Sequence, residues 1–137
     1  MFMSTSTRNA PKEVLVALAQ TKNFNPQTDI KLNCSCGCGS NKVSQSALDQ
    51  LQKVRDEFGK AMVVRSGYRC EKHPSEARKE KPGQHFNGVA FDIACNNGFD
   101  RLRLVEIARK HGARGIGIAK TFVHLDWREG LPVMWTY

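Results

Sequence analysis

The 137-residue sequence predicts an α+β domain in which helices pack on a small antiparallel sheet. Three segments repeat apolar residues at intervals of three and four, which is typical of amphipathic helices. Shorter segments alternate apolar with small or polar residues, or are rich in β-branched residues, as strands are. The last two predicted strands are joined by a very short connection, which favours antiparallel pairing over a parallel crossover.

The helices are predicted from apolar spacing together with the residues at their ends. Ser44 begins the clearest helix, and Gly59 ends it after a stripe of apolar residues. A second helix covers residues 99–111, and the glycine that follows is a natural C-terminal cap. A third covers residues 11–20, within an N-terminal extension of residues 1–23. We expect the whole chain, residues 1–137, to form a single domain.

A long polar loop separates the first two predicted strands. It covers residues 66–84 and is expected to contain one helical turn at residues 75–79. Loops of this length in a small domain are usually functional or mobile. The aromatic tail, residues 132–137, is expected to pack onto the domain. The four predicted strands are residues 61–65, 88–94, 115–118 and 122–127.

Composition restricts the class of protein without choosing a function. Hydrophobic residues make up 40% of the chain and charged residues 25%, which is normal for a globular domain and excludes a disordered or fibrous protein. The net charge of +8 favours polyanionic partners such as nucleic acid, acidic lipid or the bacterial envelope. No secretory signal or membrane span is visible, so we expect synthesis in a cytoplasm and no membrane insertion.

Two strands carry polar residues that need an explanation. Asp92 lies on a strand face otherwise made of small residues, and an unpaired carboxylate there is costly. His85 lies where the long loop enters this strand, and His124 lies on the polar face of another strand. Two imidazoles and one carboxylate are a common catalytic zinc set. On spacing alone, separate roles as surface histidines and a capping aspartate remain equally favoured.

Three blocks resemble motifs of the zinc D-Ala-D-Ala peptidases of bacterial cell walls and phages, which share a fold with the hedgehog signalling domain. SGYRC at residues 66–70 is similar to the S-G-Y-R block of that family. QHFNGVAFDI at residues 84–93 resembles its S-x-H-x-x-G-x-A-x-D-[IL] block, and FVHLD at residues 122–126 resembles F-V-H-x-D. CSCGCG at residues 34–39 resembles a segment common in phage members.

The resemblance implies that His85, Asp92 and His124 bind Zn²⁺ and that Arg69 faces the substrate, stabilising an oxyanion or gripping a carboxylate. The family's usual base upstream of the last histidine is missing here, because those positions are Thr121 and Phe122. Asp126 remains as either the catalytic base or a partner that orients the last histidine. The serine two residues before the first ligand is replaced by glycine, so an orienting hydrogen bond is expected to be missing.

The five cysteines, an odd number, argue against a complete disulfide framework. Cys34, Cys36 and Cys38 could bind a second zinc, but their spacing is not the usual C-x2-C, so buried or idle thiols are favoured. Cys70 and Cys95 are interpreted as packing residues.

The resulting hypothesis is a monomeric zinc metallopeptidase that hydrolyses a bond in peptidoglycan stem peptides. A phage endolysin of the carboxypeptidase or endopeptidase type would be made in the host cytoplasm and released to the cell wall. The alternative is a non-catalytic zinc-containing module that binds the wall or acts as hedgehog domains do. A nucleic-acid-binding zinc protein is disfavoured, since few aromatic residues are interleaved with the basic ones and no finger spacing is present.

Overall fold

The computed structural model describes residues 19–38, 40–77 and 83–137. The predicted helix at residues 11–20 lies outside these ranges except for its last two residues, which are not helical. The single-domain assignment and the N-terminal extension therefore stay predictions. No helix among the described residues combines the length and apolar character that crossing a membrane requires.

Two long helices form where the apolar periodicity predicts them. Helix α1 spans Gln45–Phe58, with the Ser44 side chain capping its first turn and Gly59 ending it in the left-handed conformation. Helix α3 spans Gly98–Lys110 and is capped by Asn97. The predicted turn in the long loop is the short helix α2, Pro74–Ala77. A 3-10 helix at Ile30–Leu32 precedes α1 and was not predicted.

The α+β class is confirmed, and one mixed sheet contains five strands: β1 Val64–Ser66, β2 Ala90–Ala94, β3 Gly115–Ile118, β4 Phe122–Asp126 and β5 Val133–Thr136. Their order in the sheet is β1-β2-β4-β3-β5. Neighbouring strands are antiparallel except β3 and β5, which are parallel. The predicted antiparallel sheet is present in β1 to β4, and the aromatic tail adds β5 as a parallel edge strand that was not predicted.

The two faces of the central strands differ, as their alternation predicts. Phe91 and Leu125 are fully buried and join the hydrophobic core, which also includes Leu51 of α1 and Leu104 of α3. Because side chains alternate along a strand, the residues between them point to the opposite face. The sheet therefore presents its buried polar residues away from the helix-covered core.

Gly88 fixes the entry of the chain into β2. Its φ is +76°, and its carbonyl accepts a 2.8 Å hydrogen bond from the backbone N–H of Ser44 at the start of α1. A Cβ at this position would lie 2.1 Å from the carbonyl oxygen of Lys42. No side chain fits without moving one of the two backbones.

We predict that Gly88→Ala lowers the free energy of unfolding by at least about 1–3 kcal/mol, the cost of a strained backbone position. Urea unfolding followed by circular dichroism measures the change. Gly98→Ala is the matched control, since a Cβ there meets nothing within 4 Å and alanine favours a helix. Equal stability of the two variants would contradict the prediction.

Candidate metal centre

Three buried polar side chains meet on the open face of the sheet. Asp92 on β2 lies directly across from His124 on β4, because the two strands pair in that register. His85 reaches them from the loop before β2. Its Nε2 lies 3.3 Å from Asp92 Oδ1, and Nδ1 of His124 lies 3.1 Å from the same oxygen. One ligand atom from each residue lies within 4.8 Å of the other two.

The ring of His85 is oriented by a backbone carbonyl. Its Nδ1 lies 2.7 Å from the carbonyl oxygen of Gly67, and because a carbonyl can only accept, Nδ1 carries the proton. In the neutral ring, the lone pair of Nε2 is then directed to the shared centre. Gly83 has no side chain to orient a ligand, and the ring of His85 is instead oriented from the other end of the long loop.

The ring of His124 is oriented by Asp126. Its Nε2 lies 2.7 Å from Asp126 Oδ2, which leaves Nδ1 facing the centre. Asp126 is fully buried, and Arg128 donates to both of its oxygens, from Nε at 2.9 Å and from Nη2 at 2.7 Å. A Cβ on Gly115 would lie 2.1 Å from this carboxylate, so only glycine leaves room for it.

Both carboxylates are stabilised in their charged form. Burial alone would raise the pKa of Asp92, but hydrogen bonds with His124 and His85 hold it well below its usual range. Burial likewise opposes ionisation of Asp126, yet hydrogen bonds from Arg128 and His124 lower its pKa to about 2. Asp92 therefore stays ionised between the two histidines, and Asp126 stays ionised behind His124.

Arg69 lies at the rim of this centre. Its Nη2 is 3.2 Å from Asp92 Oδ2, and its Nε donates to Ser66 Oγ at 3.1 Å. It lines an open pocket of about 400 Å³ together with the three clustered residues. The structure thus brings together all five residues that the sequence singled out, with Asp126 directly behind the cluster.

The sequence did not identify the contribution of the C-terminal tail. Arg128, Trp135 and Tyr137 also line the pocket, and the Trp135 ring centroid lies 5.0 Å from that of His124. The sequence indicated only that the aromatic tail packs onto the domain. Gly117 makes room for it, because a Cβ there would lie 2.7 Å from the indole nitrogen of Trp135.

The cluster fits a zinc ion by its chemistry. Two neutral imidazoles and a carboxylate are a zinc donor set, and each imidazole has its other nitrogen engaged, as in metal sites with oriented histidines. The pocket lies in front of the three ligand atoms, so a fourth position can be reached by a substrate.

A family model described as Peptidase M15 matches residues 22–126, which is most of the chain and includes the complete cluster. The chain belongs to the Peptidase M15 family. The resemblance to zinc D-Ala-D-Ala peptidases is thereby confirmed, and the α+β fold is compatible with an M15 peptidase. A search of curated proteins gave no match.

Membership of the M15 family supports a metallopeptidase and, with the cluster, a zinc cofactor. The roles of the individual residues are not settled by the family match. They remain predictions that follow from the contacts described above.

We predict that Asp126→Asn weakens zinc binding by about 10- to 100-fold, as loss of a partner that orients a ligand typically does. Competition against a chromogenic chelator measures the affinity. Asp100→Asn is the matched control, because Asp100 forms an ion pair with Lys60 at the surface. An unchanged affinity in Asp126→Asn would show that this carboxylate does not orient His124.

Proposed function

We propose that this M15 metallopeptidase hydrolyses a peptide bond in bacterial peptidoglycan stem peptides, as a phage lysis enzyme of the D-Ala-D-Ala carboxypeptidase or endopeptidase type. The observation that carries the proposal is the convergence of His85, Asp92 and His124 at the base of an open pocket. The three sequence blocks around them are those that resemble wall peptidases.

In this proposal, His85 Nε2, Asp92 Oδ1 and His124 Nδ1 hold one zinc ion. When bound in such a site, zinc polarises the scissile carbonyl and lowers the pKa of a water. The protein contributes the rigid positions of these atoms. Each of the two rings is held from behind, by Gly67 or by Asp126, so the donor set needs little reorganisation on binding.

Arg69 is suited to the negative charge that develops during hydrolysis. Two of its donors hold Ser66 and Asp92, which fix the guanidinium plane. Its Nη1 makes no hydrogen bond to any residue that the structure describes. A fixed guanidinium can stabilise an oxyanion or bind a substrate carboxylate, and stem peptides carry carboxylates.

Of the two roles that the sequence left open for Asp126, we propose that it orients His124. A general base works best with a pKa near the working pH and needs access to the proton that it removes. Asp126 has no exposed surface, and both oxygens accept from Arg128. As a catalytic base it would have to break these contacts.

The surrounding charge fits an encounter with an anionic envelope. A net charge of +8 attracts polyanionic surfaces, and this attraction weakens as salt increases. We propose that the protein acts as a monomer, accumulates in the host cytoplasm and is released to the wall at lysis.

Digestion of purified peptidoglycan tests the proposal directly. We expect zinc-loaded wild-type protein to release new amino groups, with mass spectrometry of the fragments identifying the cleaved bond. His124→Ala should abolish release because a ligand is lost. His111→Ala is the matched control, since His111 pairs with Glu57 at the far end of α3. Full activity in zinc-free protein or in His124→Ala would reject the proposal.

Arg69→Lys tests the role of the guanidinium. Lysine keeps the charge but loses the planar fork, so we expect kcat/KM to fall about tenfold or more with unchanged zinc content. Arg65→Lys on β1, four residues earlier in the chain, is the control, because Arg65 is exposed and donates to Thr121. Equal kcat/KM in both variants would remove Arg69 from the catalytic proposal.

A non-catalytic zinc module that binds the wall is the second candidate. One observation favours it: among the described residues that line the pocket, Asp92 is the sole carboxylate. Saturable wall binding without any released amino group or D-alanine, in protein with a full zinc content, would establish this alternative instead.

A further inference from the structure

A second cluster of metal-binding side chains lies outside the peptidase pocket. The loop with Cys34, Cys36 and Cys38 folds against Cys70, so that the four sulfur atoms all lie within 4.8 Å of one another. Sγ of Cys36 lies 3.3 Å from Sγ of Cys70, although the two residues are 34 positions apart in the sequence. Cys70, which the sequence predicts to be a packing residue, therefore lies in a cluster of four sulfurs.

We propose that these four cysteines bind a single structural zinc ion. Zinc bound by four thiolates has Zn–S distances of about 2.3 Å in a tetrahedron, which places the sulfurs roughly 3.8 Å apart. The observed grouping needs only small adjustments to reach that arrangement. Zinc displaces the thiol protons to solvent, so the site binds as four thiolates.

The backbone around the cluster is arranged to stabilise sulfur anions. The N–H of Cys70 donates to Sγ of Cys34, and the N–H of Ser40 donates to Sγ of Cys38, both at 3.3 Å. The N–H of Cys34 in turn donates to the carbonyl of Ser40, which closes the loop. Hydrogen bonds to a charged group favour its charged form and orient it for a metal.

Packing alone does not explain the cluster. Cys34 and Cys70 are buried, but Cys36 and Cys38 are exposed and contribute no core volume. A disulfide joins two sulfurs, whereas each of these four lies within 4.8 Å of the other three, as the ligands of one metal ion do. Four cysteine ligands also leave no position for substrate, unlike the histidine and aspartate centre, so the role is structural.

The position of this site links it to Arg69, the residue before Cys70. The backbone N–H groups of Gly67 and Tyr68 donate to the carbonyls of Lys31 and Leu32, directly before the cysteine loop. Zinc at the cysteines would thus hold the segment that presents Arg69 to the pocket. This inference does not depend on the substrate proposed for the enzyme.

Metal content of the purified full-length chain tests the inference. We expect elemental mass spectrometry to find two zinc ions per chain in wild-type protein and one in the double variant Cys36→Ser/Cys38→Ser. Both substituted residues are exposed, so the core is not altered. Cobalt(II) should give intense sulfur-to-metal absorption in wild-type protein and lose it in this double variant. Cys95→Ala is the matched control, because Cys95 lies outside the cluster, and it should keep two zinc ions and the cobalt absorption.

Other results overturn the inference. One zinc ion in both wild-type protein and the double variant would remove the second site. A count of three free thiols or of one in denatured, unreduced wild-type protein, instead of five, would indicate one or two disulfides. Iron in place of zinc would refute the assignment of the metal. The zinc content of His124→Ala separates the two sites, because this substitution removes a ligand of the peptidase centre only. We expect one zinc ion per chain in this variant, bound at the cysteines.

Discussion

The buried carboxylate of Asp92 is the constraint on which the site depends. It is 6% exposed and is shared among His85, His124 and Arg69. A buried charge without such partners costs several kcal/mol, so the surrounding elements must deliver all three. This requirement fixes the register of β2 on β4. A shift of one residue would turn the side chain of Asp92 or His124 towards the hydrophobic core.

A second layer of contacts makes this arrangement rigid. Gly67 holds the first histidine through a carbonyl, whereas Asp126 holds the second through a carboxylate that Arg128 neutralises. The glycine at position 115 is part of the same layer, since a side chain there would occupy the place of the carboxylate. Each buried carboxylate therefore has an arginine partner: Arg69 pairs with Asp92, and Arg128 pairs with Asp126.

The sequence predicted the helices and strands that are determined by residues close together in the chain. The amphipathic period and caps of α1 and α3, and the alternation around Asp92, follow from neighbouring residues and were confirmed. Strand β5 was missed because its residues are mostly exposed and lack alternation, and its parallel pairing with β3 is not visible in the sequence. The contact between Cys70 and Cys36 was not predicted, because residues so far apart in the sequence form no recognisable spacing motif.

The five residues 66–70, which begin at the last residue of β1, contribute to both the proposed metal centre and the cysteine cluster. Ser66 fixes the guanidinium of Arg69, and the carbonyl of Gly67 orients a metal-ligating histidine in the proposed centre. Tyr68 is 3% exposed and anchors the segment in the core, while Cys70 completes the cysteine cluster. Because adjacent residues of an extended chain point in opposite directions, one segment can serve the pocket and the core at once. Displacement of any part of it would move the arginine and the histidine partner together, so the proposed zinc at the cysteines and the peptidase centre are mechanically connected through this block.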